Sequence, residues 1–138
     1  MNPKNPNRLF PLFLIDDLET TKRYYVDKLG FTATFDMPQY LQLRIGEQAD
    51  GPELCFMKPD ALPDGKKRPA FKGQGAVISI PVDDADAAHD RMLAKGAKVE
   101  DKPADKPWGW RSFFVTDPNG VTLDFFHVYK EVSASDMM

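Results

Sequence analysis

The side chains best equipped for chemistry lie on one stretch, Trp108-Gly109-Trp110-Arg111-Ser112-Phe113-Phe114-Val115-Thr116-Asp117-Pro118-Asn119-Gly120-Val121-Thr122-Leu123-Asp124-Phe125-Phe126. Trp108 and Trp110 offer ring faces to a planar ligand, or else close an apolar surface or pack in a dimer. Arg111 offers charge to an anion, or a structural ion pair with Asp117 or another acid. Asp124 is a lone carboxylate among aromatics and is the candidate catalytic residue. It can take a proton, bind a ligand amine, or sit hydrogen-bonded to Tyr40 or Gln42. Cys55 reads as a small buried filler, because no His lies near it in sequence to favour a thiolate. Tyr24 and Tyr25 read as packing residues of a helix. Glycine-rich phosphate loops, Ser-His-Asp patterns and HExxH are absent, so no hydrolase or nucleotide chemistry is assigned.

The elements that position these groups follow from punctuation and period. Asp117-Pro118-Asn119-Gly120 joins two β-rich runs, 110–115 and 121–126, into a hairpin, since Asn-Gly tolerates the backbone angles a tight turn demands. Earlier, Leu9 to Ile15 is an apolar run of strand length, with Pro11 placing it at an edge or near a bulge. Asp16-Asp17-Leu18-Glu19 signals a helix start, with Asp16 as cap and Glu19 closing a capping box. Leu18, Thr21, Tyr25 and Leu29 follow at helical spacing, and Gly30 stops the helix. Strands are expected at 31–36, 40–45 and 53–57; in the second of these Leu41, Leu43 and Ile45 face one way and Tyr40, Gln42 and Arg44 the other.

A connector with three prolines and three glycines, 58–75, then leads into a second pass of the same order. Strand 76–82 precedes the helix start Asp83-Asp84-Ala85-Asp86, and Ala85, Ala88 and Met92 share a buried face. Gly96 ends that helix, a strand follows at 97–100, and the hairpin completes the module. The chain is therefore an internal βαβββ repeat. Asp16-Asp17-Leu18 overlies Asp83-Asp84-Ala85, and the run 50–57 overlies 119–126.

Bulk properties set the remaining bounds. The 138 residues suffice for one domain, or two small modules sharing a core. A formal charge of −3 argues against nucleic acid, and Lys66-Lys67-Arg68 reads as a solvated loop. No segment approaches the about 20 apolar residues of a membrane span, and no leader is visible at the N-terminus, so a cytoplasmic protein without a membrane partner is expected. The single Cys55 excludes an intrachain disulfide and suits a reducing compartment.

Several of these motifs together, Ile15-Asp16-Asp17-Leu18-Glu19, Tyr24-Tyr25, Lys28-Leu29-Gly30-Phe31, Val82-Asp83-Asp84, Lys95-Gly96 and Val115-Thr116-Asp117-Pro118-Asn119-Gly120, resemble the glyoxalase/bleomycin-resistance/dioxygenase superfamily, also called vicinal oxygen chelate. The resemblance covers about 9–128. It implies an α+β fold of two tandem βαβββ modules forming an open, cup-shaped mixed sheet with helices on the convex side. On that basis one domain is expected, with module 1 at about 8–58, a connector at 59–74, module 2 at about 75–128 and a flexible tail at 129–138. Enzymes of the family hold a metal on a His or Gln of each first strand and a Glu on each last strand. Those positions are Phe10 and Val77, both apolar, then Asp124 and Cys55, with Glu53 a second candidate acid. His89 on the second helix and His127, of opposite strand parity to Asp124, do not make up the set. No metal and no cofactor are therefore expected.

The branch without a metal requirement, the bleomycin-resistance proteins, is most similar around Pro107-Trp108-Gly109-Trp110-Arg111. It implies a homodimer that sequesters a small, planar or amine-bearing ligand. Phe10, Leu12, Leu14, Tyr40, Gln42, Arg44, Cys55, Met57, Trp110, Ser112, Phe114, Asp124 and Phe126 would line the cup and Trp108 would stand at its rim. The competing expectation is a glyoxalase-like lyase or isomerase working through Asp124 or a displaced metal site.

Overall fold

The computed structural model describes residues 9–61, 64, 66 and 68–137. The N-terminal arm and part of the connector, including Lys67 of the basic cluster, lie outside them. The chain divides into two compact units, Met1–Lys72 and Gly73–Met138, and each carries its own four-stranded sheet.

In the first unit β1 (Leu12–Leu14), α1 (Leu18–Arg23), β2 (Thr32–Met37), β3 (Tyr40–Arg44) and β4 (Glu53–Met57) give the strand order β1-β4-β3-β2. The first strand runs parallel to the last, and the other pairs are antiparallel. The register puts Phe13, Phe56 and Leu41 in one row, with Leu43 beside Leu54 in the next. This face meets the helix: Tyr25, fully buried, sits with its ring 5.3 Å from Phe56 and 5.1 Å from Phe31. Asp17, rather than Asp16, caps α1, because Asp17 holds the extended backbone of a cap and accepts the Thr20 N–H at 3.0 Å. The helix then widens into a π turn at Tyr24–Lys28. Tyr24 and Tyr25 are both buried, and the wider turn lets two adjacent rings point inward where a regular helix would splay them by about 100°.

The second unit repeats the pattern with β5 (Val77–Pro81), α2 (Ala85–Ala94), β6 (Ala104–Asp105), β7 (Trp110–Thr116) and β8 (Thr122–Val128), in the order β5-β8-β7-β6. Phe113, Phe125 and Ile80 form one buried row, Val115 and Leu123 the next, and His89 of α2 packs edge-on against Phe113 at 5.3 Å. Asp84 caps α2 by accepting from Asp86 and Ala87.

The strand expected at 97–100 does not form as a regular ladder. Val99 makes an isolated bridge to Val115, with Thr116 N–H donating to Lys98 and Glu100 N–H to Phe114. Asp101 then intervenes, its carboxylate taking the Phe114 N–H at 2.8 Å, so pairing with β7 resumes only at β6. At the hairpin, Asp117 is buried and its Oδ1 accepts from both Asn119 and Val121 N–H at 2.8 Å.

Candidate functional site

Each sheet has one face against its helix and one face free of it. In the second unit the helix-free face carries, row by row, Trp110 with Val128, Ser112 with Phe126 and Pro81, Phe114 with Asp124 and Ser79, and Thr116 with Thr122 and Val77. Trp110 lies flat on Phe126, ring centres 3.6 Å apart and planes within 9°, which fixes the indole and takes one of its faces. Beside that stack sit two buried polar side chains. Asp124 accepts from Ser79 Oγ at 3.1 Å through Oδ2, while its Oδ1 has no partner among the described residues; Ser112 Oγ has none either. Ser112 is 1% and Asp124 6% exposed, so each orphaned atom costs about 1–3 kcal/mol unless something else meets it. Lys106 borders the face, its ammonium 5.8 Å from the Phe114 ring centre and donating to the Ser112 carbonyl.

The charged groups of the opposite face have structural work. Arg111 grips Asp86 of α2 with two hydrogen bonds of 2.8 and 2.9 Å and reaches Asp105 at 3.1 Å. Its partner is thus not Asp117, which the hairpin turn occupies. These acids hold the guanidinium charge well above its usual range, and Arg111 in turn lowers Asp86 below the usual carboxylate value. His127 accepts the Ala85 N–H on Nδ1 at 2.8 Å, sealing the start of α2.

On the helix-free face of the first unit, Leu12, Cys55 and Gln42 share a row, as do Leu14, Met57 and Tyr40. Tyr40 OH donates to Gln42 Oε1 at 2.7 Å, and Gln42 Nε2 donates to Glu53. A β-bulge between Ala33 and Phe35 turns Thr34 toward the same carboxylate, which it reaches at 3.2 Å. Burial, then a hydrogen bond with the Cys55 thiol, raises the Tyr40 phenol far above its ordinary value, so it serves as a donor and not as a base. Arg44 folds back onto the Gly46 carbonyl at 3.3 Å. Leu12 is partly exposed, and Phe10 lies half-buried ahead of β1.

The positions expected to correspond to metal ligands do not fit a metal here. Phe10 and Val77 have no donor atom, Glu53 is engaged by Gln42 and Thr34, and Asp124 has Ser79 and Phe114 as row neighbours. Among the described residues no three His, Cys, Asp or Glu side chains are grouped to hold an ion, and no helix is long and apolar enough to cross a membrane.

Trp108 lies outside the sheet, in the turn before β7, and is 45% exposed. The segment after β8, expected to be a loose tail, is seated on that turn. Tyr129 and Lys130 N–H both donate to the Gly109 carbonyl at 2.9 and 3.2 Å, and Tyr129 OH donates to Lys106 O at 2.9 Å. Gly109 is obligatory in this seat: its φ is +91°, and a Cβ there would stand 2.0 Å from the Lys130 carbonyl oxygen. Sequence reasoning had no signal for this contact, nor for the Thr34 bulge. Ser79 was within reach, since it lies two residues from Val77 on the strand expected there.

Residues 10–125 match the glyoxalase/bleomycin resistance protein/dioxygenase superfamily. The uncharacterized protein YraH of Bacillus subtilis (strain 168) is 25% identical over 119 residues, 82% of this chain and 91% of its own. Among solved structures, a glyoxalase/bleomycin resistance protein from Streptomyces sp. CB03234 is 27% identical with a TM-score of 0.65, over 88% of this chain and 99% of that one. A glyoxalase/bleomycin resistance protein/dioxygenase from Nocardioides superposes with a TM-score of 0.71 at 22% identity, over 94% and 88%. TnmS3, an antibiotic binding protein from Streptomyces sp. CB03234, does so at 0.67 and 24%, over 91% and 98%.

Proposed function

We propose that the chain, which belongs to the glyoxalase/bleomycin resistance protein/dioxygenase superfamily and has apolar Phe10 and Val77 at the positions we equate with the metal ligands of its enzymes, is a metal-free small-molecule-binding protein of the bleomycin-resistance type. It sequesters a planar or amine-bearing ligand rather than transforming one. The observation that carries this reading is the pair of buried atoms without a partner among the described residues, Asp124 Oδ1 and Ser112 Oγ, beside the Trp110–Phe126 stack. A ligand N–H or ammonium there satisfies the carboxylate, and an aromatic ring extends the apolar surface formed by Phe114 and Phe126, the usual mix of a ligand pocket. The same fold serves antibiotic binding in TnmS3. As in bleomycin-resistance proteins, the working unit is a homodimer, and sedimentation at micromolar concentration should give twice the chain mass.

The test is a thermal-shift panel of planar, amine-bearing antibiotics. A true ligand at 100 times its Kd stabilises by about 2.7 kcal/mol. With such a ligand, Asp124→Asn should weaken binding by about 1–3 kcal/mol, the range for a hydrogen bond to a charged group, with the far-UV spectrum unchanged. Equal affinity in the variant, or a stoichiometric transition metal in protein purified without chelator, would overturn the reading.

A further inference from the structure

A cavity of the first unit lies beyond the carboxyl ends of β1 and β4, and none of its lining residues belongs to the rows of either helix-free face. It measures about 640 Å³, within the range of about 300–1,000 Å³ common for small-molecule sites. The parallel pairing continues one step past the two strands, Ile15 N–H donating to Met57 O at 2.9 Å, and so brings Asp16 and Lys58, the next residue on each, to the same end. Lys58 and Asp60 line the cavity from the segment after β4, which is held by Lys58 N–H on Gln39 O and Ala61 N–H on Lys58 O, both at 3.1 Å. Arg68 and Lys72 line it from the returning connector. There Phe71 is the anchor, its N–H donating to Leu14 O at 2.7 Å and its ring meeting Phe13 edge-on at 4.8 Å. Each of these two segments also lends a proline to the lining, which stiffens its backbone.

The charges of the lining are balanced and uncommitted. Arg68 is engaged by Asp64, with bonds of 3.2 and 2.5 Å from its two terminal nitrogens. That leaves two ammonium groups, Lys58 and Lys72, and two carboxylates, Asp16 and Asp60. None of the four makes an ion pair or a side-chain hydrogen bond with another described residue. We propose that this cavity binds a small zwitterion with ammonium and carboxylate on one short backbone, a free amino acid or dipeptide, its carboxylate on Lys58 and Lys72 and its ammonium on Asp16 and Asp60. A singly charged ligand meets one pair of side chains favourably and the other as like charge, whereas a zwitterion meets both, so complementarity rather than net charge selects it. The inference rests on residues of the first unit alone and stands or falls apart from the Asp124 site of the second.

The probe is alanylalanine, titrated into the isotope-labelled full chain and read by amide chemical shifts. Beside it run three analogues of like shape: N-acetyl-alanylalanine (anionic), alanylalaninamide (cationic) and N-acetyl-alanylalaninamide (neutral). The free dipeptide should bind about 3- to 30-fold more tightly than either singly charged analogue, with shifts gathered at Asp16, Lys58, Asp60, Ala70 and Lys72. Lys58→Gln with Lys72→Gln should erase its advantage over the cation and keep that over the anion. Asp16→Asn with Asp60→Asn should do the reverse, and it spares α1, whose cap is Asp17. Where a double variant melts below the parent, the single variants Lys72→Gln and Asp60→Asn, both at exposed side chains, carry the same comparison. No binding of alanylalanine, a singly charged analogue that binds as tightly, or preferences that neither pair of substitutions moves overturns the proposal. Shifts that fall on the amides of β7 and β8 instead put the dipeptide on the other unit and overturn it as well.

Discussion

Replacing Gly109 with Ala places one methyl group where the Lys130 carbonyl already is. The cost has two parts. A non-glycine residue at φ +91° costs about 1–2 kcal/mol from the clash of its Cβ with the backbone. The contact of 2.0 Å with backbone oxygen cannot be relieved by a side-chain rotation, so the segment must lift. Lifting loses the Tyr129 and Lys130 hydrogen bonds to Gly109, about 1 kcal/mol each at most because the freed groups find water. The total is about 2–4 kcal/mol, and at about 2–4 °C per kcal/mol for a chain near this size the melting temperature should drop by roughly 4–16 °C. Circular dichroism gives the drop, and hydrogen exchange locates it: the amides of Tyr129 and Lys130 should lose protection while those of β3 and β4 in the first unit keep theirs. A variant within about 0.5 kcal/mol of the parent, the range of ordinary surface changes, with both amides still protected would refute the reasoning, because the segment would then not depend on Gly109.

Three more outcomes are expected. Asp117→Ala removes the acceptor for two turn N–H groups in a buried position and should cost about 2–3 kcal/mol in urea unfolding, whereas Pro118→Ala should cost under about 1 kcal/mol. Gln42→Leu removes the Gln42 amide donor from the buried Glu53 carboxylate and should destabilise by about 2–3 kcal/mol, more than Glu53→Gln, which leaves an amide that still accepts; the opposite ranking would show that Glu53 does not organise that face. Asp86 has its folded value depressed by Arg111 below the ordinary 3.8, so its contribution is full above that ordinary value and is lost as pH falls through the lowered folded one. Asp86→Asn should accordingly flatten the acid limb of the stability profile and lower the neutral plateau. An acid limb identical to the parent's would mean that the Arg111 pair does not persist in solution.

How much of this was legible in the sequence depends on how local the cause is. The alternation in Tyr40–Arg44 sorts its side chains onto two faces because a strand has a period of two, and the turn at Asp117 to Gly120 announces itself through residues that bond within the turn. The repeat was visible for the same reason, since both helix starts use a carboxylate cap. The choice of Asp17 over Asp16 was not, because either acid can cap and only the entry angle of the chain decides. The region after Gly96 reads as strand from its β-branched and apolar residues, yet Asp101 competes for the β7 backbone and breaks the ladder. At the candidate site, the shared parity of Ser112 and Asp124 was readable, but the absence of a partner among the described residues for Ser112 Oγ and Asp124 Oδ1 was not. The seat of the C-terminal segment depends on a carbonyl meeting a missing Cβ some twenty residues away, and no window of sequence contains both.

The parallel pairing of the first strand with the last in each unit also orders events during synthesis. In the first unit β1 must wait for β4, which ends at Met57; in the second, β5 must wait for β8, which ends at Val128 and stands inside its sheet. A ribosome adding about 5–20 residues per second takes roughly 4–14 s between those two points. During that interval every strand of one sheet is already made while the other lacks an interior strand, leaving β5 and β7 with edges that only β8 can cover. The nascent chain is thus most exposed to wrong pairing while β7 is out and β8 is not, and a slow codon run between Thr116 and Thr122 would prolong that exposure.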